Sequence, residues 1–155
     1  MTDMLKTGSK APAFDLPIDG GKRLTLAELA GKQVVLYFYP KDDTPGCTVE
    51  AQDFARLHGE FEKAGAVVLG ISKCSVKKHD KFKEKYCLPF PLLSDDAQVC
   101  EAYDVWKEKS MYGKKYMGIE RSTFLIDAKG KIAHIWPKVK IEGHAEEVLE
   151  TIRKG

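Results

Sequence analysis

Apolar positions along the chain fall into two long runs separated by a helical stripe. Gln33 to Tyr39 is β-rich and continuously apolar after Gln33 (VVLYFY), as expected of a strand buried on both faces. AVVLGIS (66–72) repeats that character. Between them Phe54, Leu57 and Phe61 share one helical face, which predicts a single helix from about Thr44 to Ala64, ended by Gly65. Strand, helix and strand at this spacing form a βαβ unit, so the strands should be parallel and the crossover right-handed.

Shorter signals flank this unit. PAFDLPIDGGKRLTL (12–26) reads as two short strands around the turn Asp19-Gly20-Gly21, followed by a brief helix from Leu26 to Ala30 that stops at Gly31. A lysine-rich helix is predicted from about Ser75 to Tyr86, then a short strand from Phe90 to Leu93. Ser94-Asp95-Asp96 looks like a helix start, with Val99, Cys100 and Tyr103 inward. STFLID (122–127) and KIAHIW (131–136) flank Ala128-Lys129-Gly130 as a hairpin, and a last helix runs roughly from Gly143 to Arg153. The order is βαβ, a helical insertion, then ββα. That is an α/β chain matching the thioredoxin fold, with an N-terminal β-hairpin and an insertion in the middle. No repeat or linker divides it, so residues 1–155 read as one domain.

Composition narrows the function classes. The formal charge of +2, from 25 basic and 23 acidic residues, is too small for a nucleic-acid footprint. VVLYFY is too short to span a bilayer, so no membrane role is expected. MTDMLKTGSKAPAFDLP has no apolar leader core, which points to the cytoplasm. Thiols there are mostly kept reduced, so Cys47, Cys74, Cys87 and Cys100 are expected to be free, catalytic or metal-binding rather than joined in structural disulfides. His58, His79, His134 and His144 form no ligand pair, and Cys74 with His79 lacks a second pair, so no metal site is expected. The lysines of SVKKHDKFKEKY read as a solvated helix face rather than a docking patch for an acidic partner.

The candidate chemistry sits in YFYPKDDTPGCTVEAQDF (37–54). Thr44 is a good N-cap and Pro45 suits the first helical position. Cys47 then falls third in the helix, where free N–H groups and the helix dipole favour an anion. The competing reading is a small, inert core thiol. Placement at the C-terminal edge of a parallel strand, where open α/β sheets bind ligands, favours chemistry. Disulfide exchange would want Cys-x-x-Cys, and the partner position is Glu50. Attack on a peroxide needs one cysteine, with donors for the charge developing on the leaving oxygen. Thr44, the amides of Gly46 and Cys47, and an arginine could supply them.

Pro40-x3-Thr44-x2-Cys47 is similar to the active-site signature of the peroxiredoxins, and VVLYFYPKDDTPGCTVEA resembles their bacterioferritin comigratory protein, or Q-type, branch. The likeness continues through Phe90-Pro91-Leu92-Leu93-Ser94-Asp95, Val105-Trp106-Lys107-Glu108-Lys109 and GIERSTFLID (118–127). It implies that Cys47 is the peroxidatic cysteine, oxidised to sulfenic acid as the peroxide bond breaks. Thr44 would hydrogen-bond the thiolate and the peroxide, Pro40 would keep water out, and Gly46 would border the substrate. Arg121 would pair with the thiolate and help hold the peroxide. Glu50 would either orient an arginine or cap the first turn. The resemblance implies no cofactor, a hydroperoxide substrate, thioredoxin or another thiol as reductant, and a monomer.

The chain departs from the family in its resolving cysteine. Many members of the branch carry one five residues after the peroxidatic position, where this chain has Gln52. Others carry it in the helix after the next strand, at a position matched here by Lys83. Cys87, one helical turn beyond Lys83, and Cys74, after strand 66–72, remain as alternatives; Cys100 reads as core. Either would need local unfolding, because bonded cysteines bring their Cα atoms within about 7 Å. A one-cysteine cycle, completed by an external thiol, fits these residues best. A redox sensor or holdase, using oxidation of Cys47 without efficient turnover, is the alternative function, with a disulfide reductase behind it.

Overall fold

The computed structural model describes residues 5–154, so the single-domain expectation for 1–155 reaches past the described residues at both ends. β1 (Asp15–Pro17) and β2 (Arg23–Thr25) pair antiparallel, with Leu16 opposite Leu24. They form the expected N-terminal hairpin. Thr25 then caps a short 3-10 turn at Leu26–Leu29 through a reciprocal pair of bonds with Glu28.

The apolar run VVLYFY becomes β3 (Gln33–Phe38) and AVVLGIS becomes β4 (Ala66–Ser72), parallel to it with Val35 opposite Val68. Between them the predicted single helix is two: α1 (Pro45–Arg56) and α2 (His58–Lys63). Leu57, at φ −96° and ψ 3°, turns the chain at the join, so the apolar stripe continues across a break that periodicity alone does not reveal. α3 (Val76–Tyr86) starts at Ser75, whose hydroxyl accepts the Lys78 N–H at 3.2 Å.

β5 (Leu92–Ser94) joins β4 in parallel, two residues later than the expected start at Phe90. α4 (Gln98–Ala102) begins after Ala97 rather than at Ser94. Asp95 still serves its start: its carboxylate accepts the N–H groups of Val99 and Cys100 at 3.2 and 2.8 Å. The insertion also contains a two-stranded ribbon that no apolar pattern announces, β6 (Trp106–Met111) with β7 (Lys114–Ile119). β8 (Ser122–Ile126), β9 (Ile132–Trp136) and α5 (His144–Lys154) complete the chain.

The main sheet has strand order β5-β4-β3-β8-β9, with β3 at its centre. Alternation along β3 builds two cores. Val35, Tyr37 and Tyr39 pack towards Phe54, Phe61, Phe82, Val148 and Ile152. Val34, Leu36 and Phe38 pack on the other face towards Phe14, Val99, Tyr103 and Ile119. Fully burying each such aromatic or aliphatic side chain contributes roughly 1.5–3 kcal/mol. The topology also decides where the site lies. β8 runs antiparallel to β3 with Ser122 opposite Phe38, so residue 121 arrives at the end of β3 where α1 begins.

Candidate active site

Thr44 has the extended backbone of an N-cap, and its carbonyl accepts the Thr48 N–H at 2.9 Å. Its side chain does not cap, contrary to expectation: the hydroxyl donates to Lys41 O at 2.8 Å. The same bond commits it to the preceding turn rather than to Cys47. Pro45 occupies the first helical position, which puts half-buried Gly46 second and Cys47 third. Half-buried Pro40 follows directly on β3.

Cys47 and Glu50 lie one helical turn apart on the buried face of α1, and each is 2% exposed. Arg121 reaches both. Its Nη2 donates to Cys47 Sγ at 3.3 Å, and its Nη1 donates to Glu50 Oε1 at 2.7 Å. Of the two roles open to Glu50, the geometry corresponds to orienting an arginine. The planar fork of a guanidinium can serve a thiolate and a carboxylate together, which a single ammonium cannot do in the same geometry.

Burial is the largest single influence on these charges. It pushes the Glu50 carboxyl up to about 7, even though Arg121 pulls it down. The other oxygen of Glu50, Oε2, is enclosed and has no hydrogen-bond partner among the described residues. Arg121 is driven above its ordinary value: burial works against its charge, but Glu50 and Cys47 outweigh burial. The partners respond unequally because Glu50 is wholly enclosed while the Arg121 side chain keeps 18% of its exposure. Lys109 is a second cation facing this cluster. Burial, followed by the charge of Arg121, lowers it, while Cys47 pulls it back up. Its stem lies across Gly118, where a Cβ would stand 3.3 Å from Lys109 Cδ.

Residues 137–143 cross the start of β8 and border the site. Val139 N–H donates to Arg121 O at 2.9 Å, and His144 Nε2 lies 2.8 Å from Thr123 Oγ1. Burial, with the charge of Arg121, pushes His144 down to about 4. Between these anchors, Ile141 places Cδ1 where it would stand 3.1 Å from a Cβ on Gly46, and Arg121 Nη2 would stand 3.4 Å from the same atom. Nothing in the sequence signals Ile141, because an aliphatic residue in a loop carries no chemical mark.

The remaining cysteines are placed differently. Cys74 is buried at the same sheet edge as Cys47, and its Sγ accepts the Asp42 N–H at 3.3 Å. α3 ends at Tyr86, so Cys87 does not continue the helical face of Lys83; it stands exposed in the left-handed region at φ 52°. Lys83 itself pairs with Asp19 at 2.9 Å. Cys100 is core. Among the described residues no cluster of three or more His, Cys, Asp or Glu side chains is arranged to hold a metal ion.

A helix-start thiol held by an arginine on this fold agrees with the comparisons. Residues 7–135 match the AhpC/TSA family. The chain belongs to the AhpC/TSA family of peroxiredoxins. It is 52% identical over 150 residues to the peroxiredoxin Bcp of Bacillus subtilis, covering 96% of both chains. To the peroxiredoxin Bcp of Escherichia coli it is 48% identical over 151 residues, 97% of each. The bacterioferritin comigratory protein of Xanthomonas campestris, a structure described for its alkyl peroxide reduction activity, superposes with a TM-score of 0.90 at 49% identity, covering 96% of this chain and 98% of that one. As a peroxiredoxin the chain is a thiol peroxidase, with the thioredoxin-like fold of its relatives.

Proposed function

We propose that Cys47 is the peroxidatic thiol of this peroxidase, acting on hydrogen peroxide and organic hydroperoxides. The observation that carries this reading is the 3.3 Å contact from Arg121 Nη2 to Cys47 Sγ in the first turn of α1. The thiolate attacks the terminal oxygen of the hydroperoxide. An S–O bond forms and the O–O bond breaks; the electron pair leaves on the other oxygen, which takes up a proton and departs as alcohol or water. Cys47 is left as sulfenic acid. The step needs donors for the charge that develops on the leaving oxygen. Arg121, oriented by Glu50, supplies a fixed donor towards the reacting oxygens, and the Gly46 and Cys47 amides add others. Thr44 joins them when its hydroxyl turns from Lys41 O. Pro40 limits access of water.

An external thiol then attacks the sulfenic sulfur, forming a disulfide and releasing water, and a second thiol restores Cys47. The reading takes thioredoxin or another thiol as that reductant, a monomeric protein, and a cytoplasmic setting where such thiols are plentiful. The alkyl peroxide reduction described for the Xanthomonas relative supports including organic hydroperoxides. The peroxiredoxin relatives favour turnover over a sensor that reacts once. The test is steady-state peroxide consumption with a thiol reductant: Cys47→Ser should abolish it, and full activity in that variant would defeat the assignment.

A further inference from the structure

Four of the five large apolar side chains that stand exposed among the described residues belong to the β6–β7 ribbon: Met111, Tyr112, Tyr116 and Met117. The register puts Lys107, Lys109 and Met111 on one face, beside Gly118, Tyr116 and Lys114 in turn. That face carries three lysines, two large apolar side chains and no acidic residue. The other face is spent differently. Its base packs Trp106 and Ile119 on the core, and Lys115 there is paired with Glu108 at 3.6 Å. At the tip, Tyr112 and Gly113 are both left-handed, as a tight two-residue hairpin turn requires, and Tyr112 is left 98% exposed. The ribbon also runs straight into the site. Arg121 follows two residues after the end of β7, and half-buried Lys109, in the middle of the basic face, is within electrostatic reach of Arg121 and Cys47.

We propose that this basic face of the ribbon, with Tyr112 at its tip, is the docking surface for the protein that reduces Cys47: a small dithiol protein whose reactive cysteine is ringed by apolar and acidic residues. Cys47 is 2% exposed, so a protein reductant must be held against the site to reach it. Tyr112, Tyr116 and Met111 supply the apolar anchors, and the unbalanced lysines favour an acidic partner over a basic one. The contact is small, which suits a redox encounter that must release its partner after each turnover. Oxidation of the reacting thiolate to sulfenic acid removes a negative charge beside Arg121, so the site attracts an acidic partner most in the state that needs reducing. In that complex the partner's first thiolate attacks the sulfenic sulfur; an S–S bond forms, the S–O bond breaks, and the oxygen leaves as water. The partner's second thiol then closes the partner's own disulfide and releases Cys47 reduced. The proposal rests on the peroxidase reading of Cys47 and on its reduction by an external thiol.

The test is steady-state peroxide turnover with two reductants, reduced thioredoxin and dithiothreitol. The variants are Tyr112→Ser, the double variant Met111→Ser/Tyr116→Ser, Lys114→Glu and, on the opposite face, Met117→Ser. With thioredoxin, Tyr112→Ser and the double variant should each lower kcat/KM about tenfold through KM, the scale of losing an interface anchor. Lys114→Glu should lower it several-fold and flatten its dependence on salt. Met117→Ser should stay within about twofold of wild type. With dithiothreitol, which needs no docking, all four should match wild type, which also shows that they fold. Equal losses with both reductants, wild-type thioredoxin kinetics in the Tyr112 and Met111/Tyr116 variants, or a loss in Met117→Ser as large as theirs would overturn the proposal. So would a wild-type protein that turns over with dithiothreitol but not with thioredoxin. Absence of Cys47-dependent turnover with either reductant would instead defeat the peroxidase reading itself.

Discussion

Glu50 and Arg121 stand 71 positions apart in the chain and meet in a 2.7 Å hydrogen bond between Oε1 and Nη1. Burial nevertheless drives the Glu50 carboxyl up to about 7. A carboxyl raised in this way binds its proton more tightly in the folded chain than in the unfolded one. Its contribution to stability is therefore complete below the unfolded value of 4.5 and is lost as pH climbs through about 7. Urea titrations on either side of that window should show wild type losing about 3 kcal/mol relative to Glu50→Gln as pH rises. A difference independent of pH would show that Glu50 is not the titrating group. The same variant should react with peroxide about tenfold more slowly, because a neutral amide holds the guanidinium less firmly.

Arg121 touches both Cys47 and Glu50, so its geometry matters as much as its charge. Arg121→Ala should lower the peroxide rate constant by about 100-fold or more, the usual scale for removing one donor aimed at developing charge. Arg121→Lys should recover little of that loss. An ammonium is a point charge and cannot present two separate N–H edges to the thiolate and the carboxylate. Stopped-flow measurement of Cys47 oxidation checks both; a lysine variant close to wild type would show that positive charge alone suffices.

Behind the site, Asp42 ties the Pro40–Thr44 turn to α3. Its carboxylate accepts Tyr39 OH at 2.6 Å through Oδ1 and meets His79 Nδ1 at 2.6 Å through Oδ2. His79 Nε2 lies 2.9 Å from Leu93 O, and a carbonyl can only accept, so this nitrogen carries a proton. His79 is fully buried and Asp42 nearly so. Removing one member strands the others without partners in the interior. His79→Ala should therefore destabilise the chain by about 3–5 kcal/mol in urea or thermal unfolding. A loss below about 1 kcal/mol would mean that these buried hydrogen bonds add no more stability than the same groups gain from water in the unfolded chain.

Much of the scaffold was legible in the sequence because its signals are local. VVLYFY and AVVLGIS are continuous apolar runs, and Ser75 and Asp95 mark helix starts with short polar side chains. The β6–β7 ribbon was not legible. WKEKSM and KKYMGI are mostly exposed and rich in lysine, so no apolar face marks their alternation; only Gly113 hints at the turn that the structure shows, with Tyr112 and Gly113 both left-handed. The break at Leu57 escaped because the buried stripe runs through it. In the site, Cys47 was marked by its helix start. Thr44 was marked by its N-cap position beside Cys47, Arg121 by number only through the resemblance, and the pairing of Arg121 with Glu50 depends on β8 lying antiparallel to β3. Ile141 depends on two further tertiary anchors, which no motif encodes.

Recycling of the oxidised thiol depends on what the other cysteines must give up to reach Cys47. Cys74 is buried with its Sγ accepting the Asp42 N–H, so withdrawing it would break up the Asp42 network. Cys87 is exposed, but α3 before it is fastened to the rest of the chain. Lys83 pairs with Asp19 at 2.9 Å, Lys85 with Asp43 at 2.9 Å, and Tyr86 OH donates to Asp43 at 2.7 Å. An exposed pair such as Lys85–Asp43 adds little by itself, but a Cys47–Cys87 bond would disturb several of these contacts together. An external thiol meets no such cost. One equivalent of peroxide added to the reduced protein should therefore raise its intact mass by one oxygen atom, carried on the Cys47 peptide. Cys87→Ser and Cys74→Ser should turn over with a small dithiol within about twofold of wild type. A loss of two hydrogens, with Cys47 joined to Cys87 or Cys74, would replace the one-cysteine cycle with an internal disulfide.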